Sequence, residues 1–347
     1  MSVGPILALN GMREALELAG GVGGARLAAG LQDVVGDRLT VVVNGGDDLT
    51  LQGLSIWPDH DTVLYTLAGL EDPARGWGLQ DETWSAIDQL ARYGETTWFR
   101  VGDRDLATHV ARTARLHAGE RPTEVAAELS AALGVRARIL PMSDAPVRTL
   151  VRTDEGWLEF QEYFVARRQE PTVHEVRFDG AELAAPTPEV LAALDAASAV
   201  VVAPSNPIVS VGPILALNGM REALELARER GVPIVAVSPI VAGRALKGPA
   251  DRMLTSLGHE SSALGVARLY RGLVDGIVID RQDEDLARAI QAVGPAVRVA
   301  DTIMVGAEGR ERLAREVLDF AVELSALRDR SRERRPRRGA AAAVAAS

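Results

Sequence analysis

Short apolar runs rich in β-branched residues alternate with helical patterns along most of the chain. Such runs are typical of buried strands in a parallel sheet. The runs are RLTVVVN (38–44), ASAVVVAP (197–204), VPIVAVSP (232–239) and DGIVID (275–280). Helical patterns at 188–197 and 283–293 predict the crossovers between strands. The alternation predicts an α/β fold with a Rossmann-like parallel sheet core.

The middle of the chain has a different pattern. Helical segments follow one another from 81 to 134 without intervening strands. The segment VRTLVRTDEGWLEFQEYFV (147–165) then alternates on both sides of a Thr-Asp-Glu-Gly turn, which predicts an antiparallel hairpin. We therefore predict a smaller inserted α+β domain at 84–185, carried by a nucleotide-binding core of residues 1–83 and 186–327.

One segment of eighteen residues occurs twice. The letters SVGPILALNGMREALELA stand unchanged at 2–19 and 210–227. The second copy follows a predicted strand and favours a helix, whereas the first lies where the core needs its first strand. Glu14 and Glu17 are poor residues for a central parallel strand. We expect 13–18 to be forced into a strand, residues 1–10 to hang loosely, and 1–19 to be an atypical duplicated segment.

Composition narrows the classes of chemistry. The chain has 347 residues, no cysteine, five histidines without ligand spacing and a formal net charge of −10. Any metal should therefore be bound by oxygen, and a broad nucleic-acid surface is disfavoured. No apolar run has the length of a membrane span, so we expect a cytoplasmic protein. The basic segment 328–347 is predicted to be a disordered tail.

Small polar residues follow each predicted strand end. The segments are AGGVGGAR (19–26), NGGDD (44–48), APSNPIVSVGP (203–213) and SPIVAG (238–243). Because ligands of open parallel sheets bind beyond the carboxyl ends of the strands, these loops predict a phosphate-binding crevice. A tight strand-to-helix turn is the alternative for the glycine loop. Arg26 stands where a dinucleotide fingerprint needs its third glycine, which disfavours a nicotinamide-dependent oxidoreductase.

Four aspartates lie close together in the chain: Asp47, Asp48, Asp59 and Asp61. Carboxylates beside a phosphate crevice suit Mg²⁺, which prefers one or two of them together with substrate phosphate oxygens. These four carboxylates are therefore candidate ligands of Mg²⁺. The alternative is structural, because Asp61 could cap a helix and Asp47 and Asp48 could be solvated turn residues.

Taken together, these motifs resemble one family. GGVGGAR, NGGDD, PDHDTVLYTLAG, RGWG, GDRDLATH, PMSD, APSNPIVSVGPIL and SPIVAG stand in the order of the 2-phospho-L-lactate transferases of coenzyme F420 biosynthesis, including their phosphoenolpyruvate transferase form. The resemblance covers about residues 20–325. It implies Mg²⁺-dependent transfer of a phospholactyl or phosphoenolpyruvyl group from a guanosine diphosphate adduct to the ribityl hydroxyl of the deazaflavin Fo, with release of GMP and a homodimeric enzyme.

The resemblance also implies site residues. Fo is expected at Asp61 and Arg100. The guanylate and phosphates are expected at a set of small residues on the loops, namely Gly21, Gly23, Gly24, Asn44, Ser205, Asn206, Ser210 and Gly212. With this reaction in view we predict Mg²⁺ ligands among Asp47, Asp48 and Asp61, with Asp61 and Asp48 as catalytic candidates. Asp61 is the candidate general base, and Asp61→Asn is predicted to abolish turnover while leaving the fold intact.

A second function class keeps the fold without the enzyme. A nucleotide-sugar-binding regulator of the gluconeogenesis-factor type shares the glycine loop and APSNP-like segments. WFRVGDRDLATH (98–109) and RGWG (75–78) favour the transferase. For that enzyme we expect Fo and the guanosine adduct as partners, and neither nucleic acid nor membrane.

Overall fold

Seven parallel strands form the centre of the computed structural model, which describes residues 14–333. Each strand is short and almost every residue of the inner strands is buried, as expected for a sheet covered on both faces. The strands are β1 (Ala15–Ala19), β2 (Leu39–Val43), β5 (Arg138–Pro141), β9 (Ala199–Val202), β10 (Ile234–Val237), β13 (Gly276–Asp280) and β14 (Ala296–Ala300). The α/β prediction and its four strands are confirmed.

The strand order places the ligand crevice. It runs β14-β13-β10-β9-β1-β2-β5, so the chain proceeds in one direction from β1 to β2 and in the other from β9 to β14. In open parallel sheets the crevice lies where the order reverses. The reversal falls between β1 and β9. The glycine loop follows β1, and the APSNP loop follows β9.

Helices cover both faces of the sheet. One buried cluster packs the helices at 21–35, 58–67 and 306–333 against β1 and β2, and a second packs the helix at 188–196 and the helices between β9 and β14 on the other face. The helices are α1 (Gly21–Val35), α2 (Pro58–Leu67), α3 (Ser85–Arg92), α4 (Asp103–His117), α5 (Pro122–Ala132), α6 (Pro188–Ala196), α7 (Val211–Ala216), α8 (Met220–Arg230), α9 (Ala250–Ser256), α10 (Ala263–Leu269), α11 (Ala287–Val293) and α12 (Gly306–Glu333).

The segment predicted as an insertion is not separate along its whole length. Helices α3, α4 and α5 come first, and then β5 joins the edge of the main sheet beside β2. The predicted hairpin forms β6 (Arg148–Thr153) and β7 (Gly156–Glu159), to which β8 (Val173–Asp179) adds a third antiparallel strand. The predicted domain at 84–185 therefore differs from the structure at β5, which belongs to the main sheet. The sequence of Arg138–Pro141 shows no strand pattern, and these four residues form a strand because they pair with β2.

Two small hairpins complete the description. β3 (Leu49–Leu51) pairs with β4 (Leu54–Ile56), and β11 (Ile240–Val241) pairs with β12 (Arg244–Ala245). A π-helical turn spans Glu162–Ala166, and 3₁₀ turns span Gly36–Arg38 and Arg281–Leu286. The first hairpin lies between the two aspartate pairs and the second lies above the crevice.

The duplicated letters adopt two structures. Ala15–Ala19 is the strand β1, whereas the same five letters at 223–227 lie within α8. The predicted strand is confirmed over Ala15–Leu18, and residues 1–10 lie outside the described residues.

The tail prediction is wrong at its beginning. Helix α12 continues to Glu333, because the letters 328–333 contain no glycine or proline and Arg328 forms an ion pair with the buried Asp275. Residues 334–347 lie outside the described residues. No helix within 14–333 is long and apolar enough to cross a membrane.

Candidate active site

A cleft of about 560 Å³ opens at the strand-order reversal. Its floor is formed by the loops after β1 and β9, and its walls by α2, α4, the π-helical turn and the second hairpin. Eight predicted residues line it: Gly21, Gly23, Asp47, Asp61, Arg100, Ser205, Asn206 and Ser210. The ends of the parallel strands thus bring together residues that are up to 189 positions apart in sequence, Gly21 and Ser210.

The glycine loop is shaped by a neighbouring loop. A Cβ atom on Gly23 would lie 2.4 Å from the carbonyl oxygen of Pro204, and one on Gly24 would lie 2.7 Å from Oγ of Ser205. The hydroxyl of Ser205 also donates to the carbonyl oxygen of Gly20 at 2.7 Å. These glycines are required for protein packing, whatever their role toward a ligand. The first turn of α1 holds no acidic side chain of its own, and its first amide, that of Gly21, already donates to the carboxylate of Asp59 from the neighbouring helix α2.

Asn44 joins two carboxylates. Its Nδ2 donates to Asp47 Oδ1 at 3.1 Å and to Asp59 Oδ2 at 2.9 Å. Asp47 also accepts a hydrogen bond from Gln161, and Asp59 accepts one from the amide of Gly21 at 2.8 Å. All of these partners are neutral amides. The pair is therefore buried without a cation.

Burial and mutual repulsion set the protonation of this pair. Burial raises the pKa of Asp47 well above its usual value, and the nearby Asp59 raises it further. Burial raises the pKa of Asp59 to about 6, although the hydrogen bonds from Asn44 and Gly21 oppose the shift. Two carboxylates with raised pKa values and no counter-charge have the chemistry of a divalent cation site.

Asp61 has a different environment. Arg112, which is fully buried, donates from both terminal nitrogens to the two carboxylate oxygens of Asp61. Burial alone would raise the pKa of Asp61, but Arg112, His60 and His109 hold it below the usual range. Arg112 also lies over the ring of Trp57, with Cζ 4.4 Å from the ring centroid. Asp61 is thus an ionised, fixed hydrogen-bond acceptor at the cleft wall.

A histidine continues this network. Nη1 of Arg112 lies 3.2 Å from Nδ1 of His109, and because arginine can only donate, Nδ1 accepts and the proton resides on Nε2. Nε2 lies 3.4 Å from Oδ2 of Asp105, whose Oδ1 accepts a hydrogen bond from Tyr65 at 2.6 Å. Asp61, Asp105 and His109 are close enough to hold a metal ion together.

Cations line the remaining wall. The guanidinium of Arg100 lies over one ring, Trp84, with Cζ 4.2 Å from the centroid, and Arg75 lies 5.1 Å from the same centroid. Arg75 is paired with Asp72 at 2.8 Å, whereas Arg100 has no carboxylate partner within the described part of the chain. Arg100, which lies against the ring of Trp84, therefore contributes an unpaired guanidinium to the cleft wall.

Asp48 points elsewhere. With His60 it lines a second cavity of about 170 Å³ between the first hairpin and the loop at 141–148. Asn44 borders this cavity as well. Burial raises the pKa of Asp48 and lowers that of His60. The two adjacent aspartates of NGGDD thus face different spaces, Asp47 the cleft and Asp48 the smaller cavity.

Comparison with known proteins agrees with this geometry. The model of the family described as 2-phospho-L-lactate transferase CofD matches residues 16–318. The chain belongs to this family. A phosphoenolpyruvate transferase from Streptomyces griseus is 42% identical over 316 residues, which cover 89% of this chain and 98% of the relative. A 2-phospho-L-lactate transferase from Methanosarcina mazei is 38% identical over 301 residues, 86% of this chain and 98% of the relative.

Solved structures support the fold. A UPF0052 family protein from Bacillus halodurans superposes with a TM-score of 0.57 at 16% identity, and the match covers 88% of this chain and 99% of the other. At this identity it supports the Rossmann-like architecture alone.

Two predicted residues of this CofD-family chain lie behind the cleft. Gly24 contacts Ser205 beneath the glycine loop, and a Cβ atom on Gly212 would lie 2.8 Å from the ring of Phe178. Neither residue lines the cleft. Both keep the APSNP loop and its continuation close to their neighbours.

Sequence reasoning missed three groups that shape the site. Asp59 is one of the four clustered aspartates but is not among the predicted metal ligands, although Asp59 and Asp61 both belong to PDHD. His109 was set aside because the histidines lack ligand spacing, yet Asp105 and His109 are four residues apart on α4 and share a face. No sequence pattern predicts Arg112 as a site residue, because only the packing of α4 against α2 brings it to Asp61.

The ion pair changes the expectation for Asp61→Asn. We expect this substitution to lower the free energy of unfolding by about 3 kcal/mol, because it leaves the buried Arg112 without its counter-charge. Urea unfolding measures the change. The double variant Asp61→Asn with Arg112→Gln should recover part of the loss. Equal stability of wild type and Asp61→Asn would contradict the role of the pair.

Proposed function

We propose that the protein transfers a phosphoenolpyruvyl or 2-phospholactyl group from its guanosine diphosphate adduct to the terminal ribityl hydroxyl of the deazaflavin Fo. The observation that carries this proposal is one cleft that combines a glycine loop at a helix N-terminus, a buried carboxylate pair and a wall with an unpaired arginine. Membership of the CofD family and the names of its relatives support the same reaction.

The carboxylate pair fits magnesium. Asp47 and Asp59 offer hard oxygen donors, are buried, and have only neutral amides as partners. Mg²⁺ bound there would neutralise charge on the donor phosphates. The cluster of Asp61, Asp105 and His109 is a poorer match, since Arg112 already compensates Asp61 and Mg²⁺ favours oxygen over imidazole.

The balance of the reaction is simple. The ribityl hydroxyl oxygen forms a bond to the phosphorus that carries the organic acid, and the bond from that phosphorus to the GMP oxygen breaks. GMP leaves with the bonding electron pair, and the hydroxyl proton is released. Phosphoryl transfer depends mainly on positioning and charge neutralisation, so no covalent intermediate with the protein is needed.

Asp61 is assigned to the acceptor. Because Arg112 holds its pKa low, Asp61 is a weak base but a strong hydrogen-bond acceptor for the attacking hydroxyl. Arg112 fixes the carboxylate in place through both of its terminal nitrogens. Orientation by Asp61, rather than proton abstraction, is the role that this environment favours.

Arg100 is assigned to the acceptor as well. It stacks on Trp84 at the part of the cleft lined by Phe99 and Trp77, which offer flat apolar surfaces to a planar ring. We expect Arg100→Ala to raise the KM for Fo about tenfold with little effect on the KM for the guanylate donor. Steady-state kinetics with each substrate varied in turn measure both constants, and an equal rise in both would contradict the assignment.

The deciding experiment is direct. Purified protein is incubated with Fo, Mg²⁺ and either guanosine adduct, and GMP and the phosphodiester product are followed by chromatography and mass spectrometry. Product from one adduct also identifies the donor, for which we favour the enolpyruvyl form. Absence of GMP release with both adducts would favour the regulator that binds a nucleotide sugar. A homodimer and a cytoplasmic location remain predictions.

A further inference from the structure

The only lysine of the chain lies at the mouth of the cleft. Lys247 stands among 38 lysine and arginine residues, within a segment at 242–249 that we call the strap. The strap contains β12 and has left-handed backbone at both ends, at Ala242 (φ 48°) and Gly243 (φ 78°) and again at Gly248 (φ 71°). The carboxylate of Asp283 accepts from the amide of Ala242 and fixes the first of these turns.

Lys247 contacts the opposite side of the cleft through a weak partner. Its Nζ donates to the carbonyl oxygen of Arg75 at 3.3 Å, and Arg75 begins the loop RGWG at 75–78. Between residues 14 and 333 the ammonium has no carboxylate partner. The contact is long, and a carbonyl lacks the full negative charge with which a phosphate oxygen attracts an ammonium, so the contact is readily exchanged for a phosphate oxygen.

A second unpaired cation contacts the same loop. Arg26 extends from α1, and its Nη2 lies 3.5 Å from where a Cβ atom on Gly76 would stand. Arg26 has no carboxylate partner within the described residues. Arg26 and Lys247 both line the cleft and lie against consecutive residues, Gly76 and Arg75. Two positive charges without carboxylate partners, those of Arg26 and Lys247, therefore lie beside the same RGWG loop, next to the first turns of α1.

We propose that Lys247 is a donor-binding residue that closes the strap on the diphosphate. Lys247 exchanges the carbonyl of Arg75 for an oxygen of the outer phosphate, and Arg26 neutralises the same group. This inference rests on the proposed function, because it takes the guanosine diphosphate adduct as the ligand. A compact ammonium on a flexible stem suits a residue that moves between two acceptors.

The first test compares GDP with GMP by calorimetry on the full chain in the presence of Mg²⁺. Lys247→Gln should weaken GDP binding about tenfold and GMP binding less than twofold, and Lys247→Arg should retain most of the affinity. Arg244→Gln is the matched control, since it removes one positive charge from the strap at a side chain that does not line the cleft. GDP binding by Lys247→Gln at wild-type affinity would overturn the inference.

The second test uses the uniqueness of the lysine. An amine-acylating reagent marks Lys247 and the terminal amine, which peptide mapping by mass spectrometry separates. GDP should protect Lys247 at least fivefold, and Fo should not. If GDP binds and Lys247 stays fully reactive, the strap does not close on the diphosphate, while transfer activity and the proposed function stand. If wild type binds no GDP, both fail together.

Discussion

Asp59→Asn should abolish transfer while making the protein more stable. The substitution keeps the size of the side chain and an oxygen that can accept from the Gly21 amide, but it removes one of two carboxylates that would hold Mg²⁺. We expect kcat/KM to fall about 1,000-fold, the scale of losing electrostatic stabilisation of a transferring phosphoryl group. GMP release at saturating Mg²⁺ measures the loss.

Stability should change in the opposite direction. In the protein without metal, Asp59 raises the pKa of Asp47 through repulsion, and both carboxylates are buried. Removing one charge relieves this repulsion and outweighs the loss of the acceptor for Asn44 Nδ2, so the melting temperature of metal-free Asp59→Asn should rise by a few degrees, corresponding to about 1 kcal/mol. A rise in stability together with a loss of activity separates a functional carboxylate pair from a structural one.

Asp48→Asn is the matched control. Asp48 lies next to Asp47 in sequence but faces the smaller cavity with His60. Activity should remain within about threefold of wild type. If Asp48→Asn lost as much activity as Asp59→Asn, the division of the aspartates between the two spaces would be wrong, and the original assignment of Asp48 to catalysis would be restored.

The sequence predicted the cleft better than its detailed chemistry. Parallel strands bring their carboxyl ends to one edge, so the loops at 19–26, 44–48 and 203–213 had to meet, and they do. Which of Asp59 and Asp61 holds a counter-charge depends on Arg112, which comes from α4. A difference of two positions on α2 turns one aspartate toward Asn44 and the other toward Arg112. No local pattern encodes that partition.

The same limit applies to the edge of the sheet. The strand Arg138–Pro141 is only four residues long and contains arginine and proline, so its letters do not resemble a buried strand. It becomes one because β2 offers unpaired backbone groups along its free side. Pairing with a neighbour, rather than intrinsic preference, decides its structure.

The repeated segment shows the strongest effect of context. Leu16 and Leu18 are fully buried in β1, whereas the equivalent residues Leu224 and Leu226 of α8 are buried and half-exposed, respectively. The alternation of a strand places Glu17 on the face of Ala15 and Ala19, between Val41 and Val201 of the neighbouring strands. Packing in the core therefore fixes this segment as a strand, although the strand places a glutamate in the centre of the sheet.

Glu17 has no compensation inside the sheet. Its side chain is fully buried, and neither carboxylate oxygen has a hydrogen-bond partner in the described structure. Burial raises the pKa of Glu17 well above the usual value. An unsatisfied buried polar group costs about 1–3 kcal/mol even in its neutral form, and ionisation adds to that cost.

Glu17→Leu should raise the free energy of unfolding by about 3 kcal/mol at pH 7, because it replaces the carboxyl with an apolar side chain of similar size. The folded state of wild type holds its proton above the pKa of the unfolded chain, so wild-type stability falls as the pH rises above about 4.5. The slope is about 1.4 kcal/mol per pH unit until the raised pKa is reached. Asp47, Asp48 and Asp59 also have raised pKa values and give a decline in both proteins. Denaturant unfolding between pH 5 and 8 should therefore show a decline in wild type that is steeper than that of Glu17→Leu by about this slope.

The repeat supplies its own control. Glu225 occupies the equivalent position within identical letters, but it lies exposed on α8, where glutamate and leucine have similar helix propensities. Glu225→Leu should therefore change stability by less than about 0.5 kcal/mol and leave the pH profile of wild type unchanged. If the two substitutions had equal effects, Glu17 would not be an uncompensated charge in the central strand. A gain confined to Glu17→Leu would identify the duplicated letters as the weak point of the core.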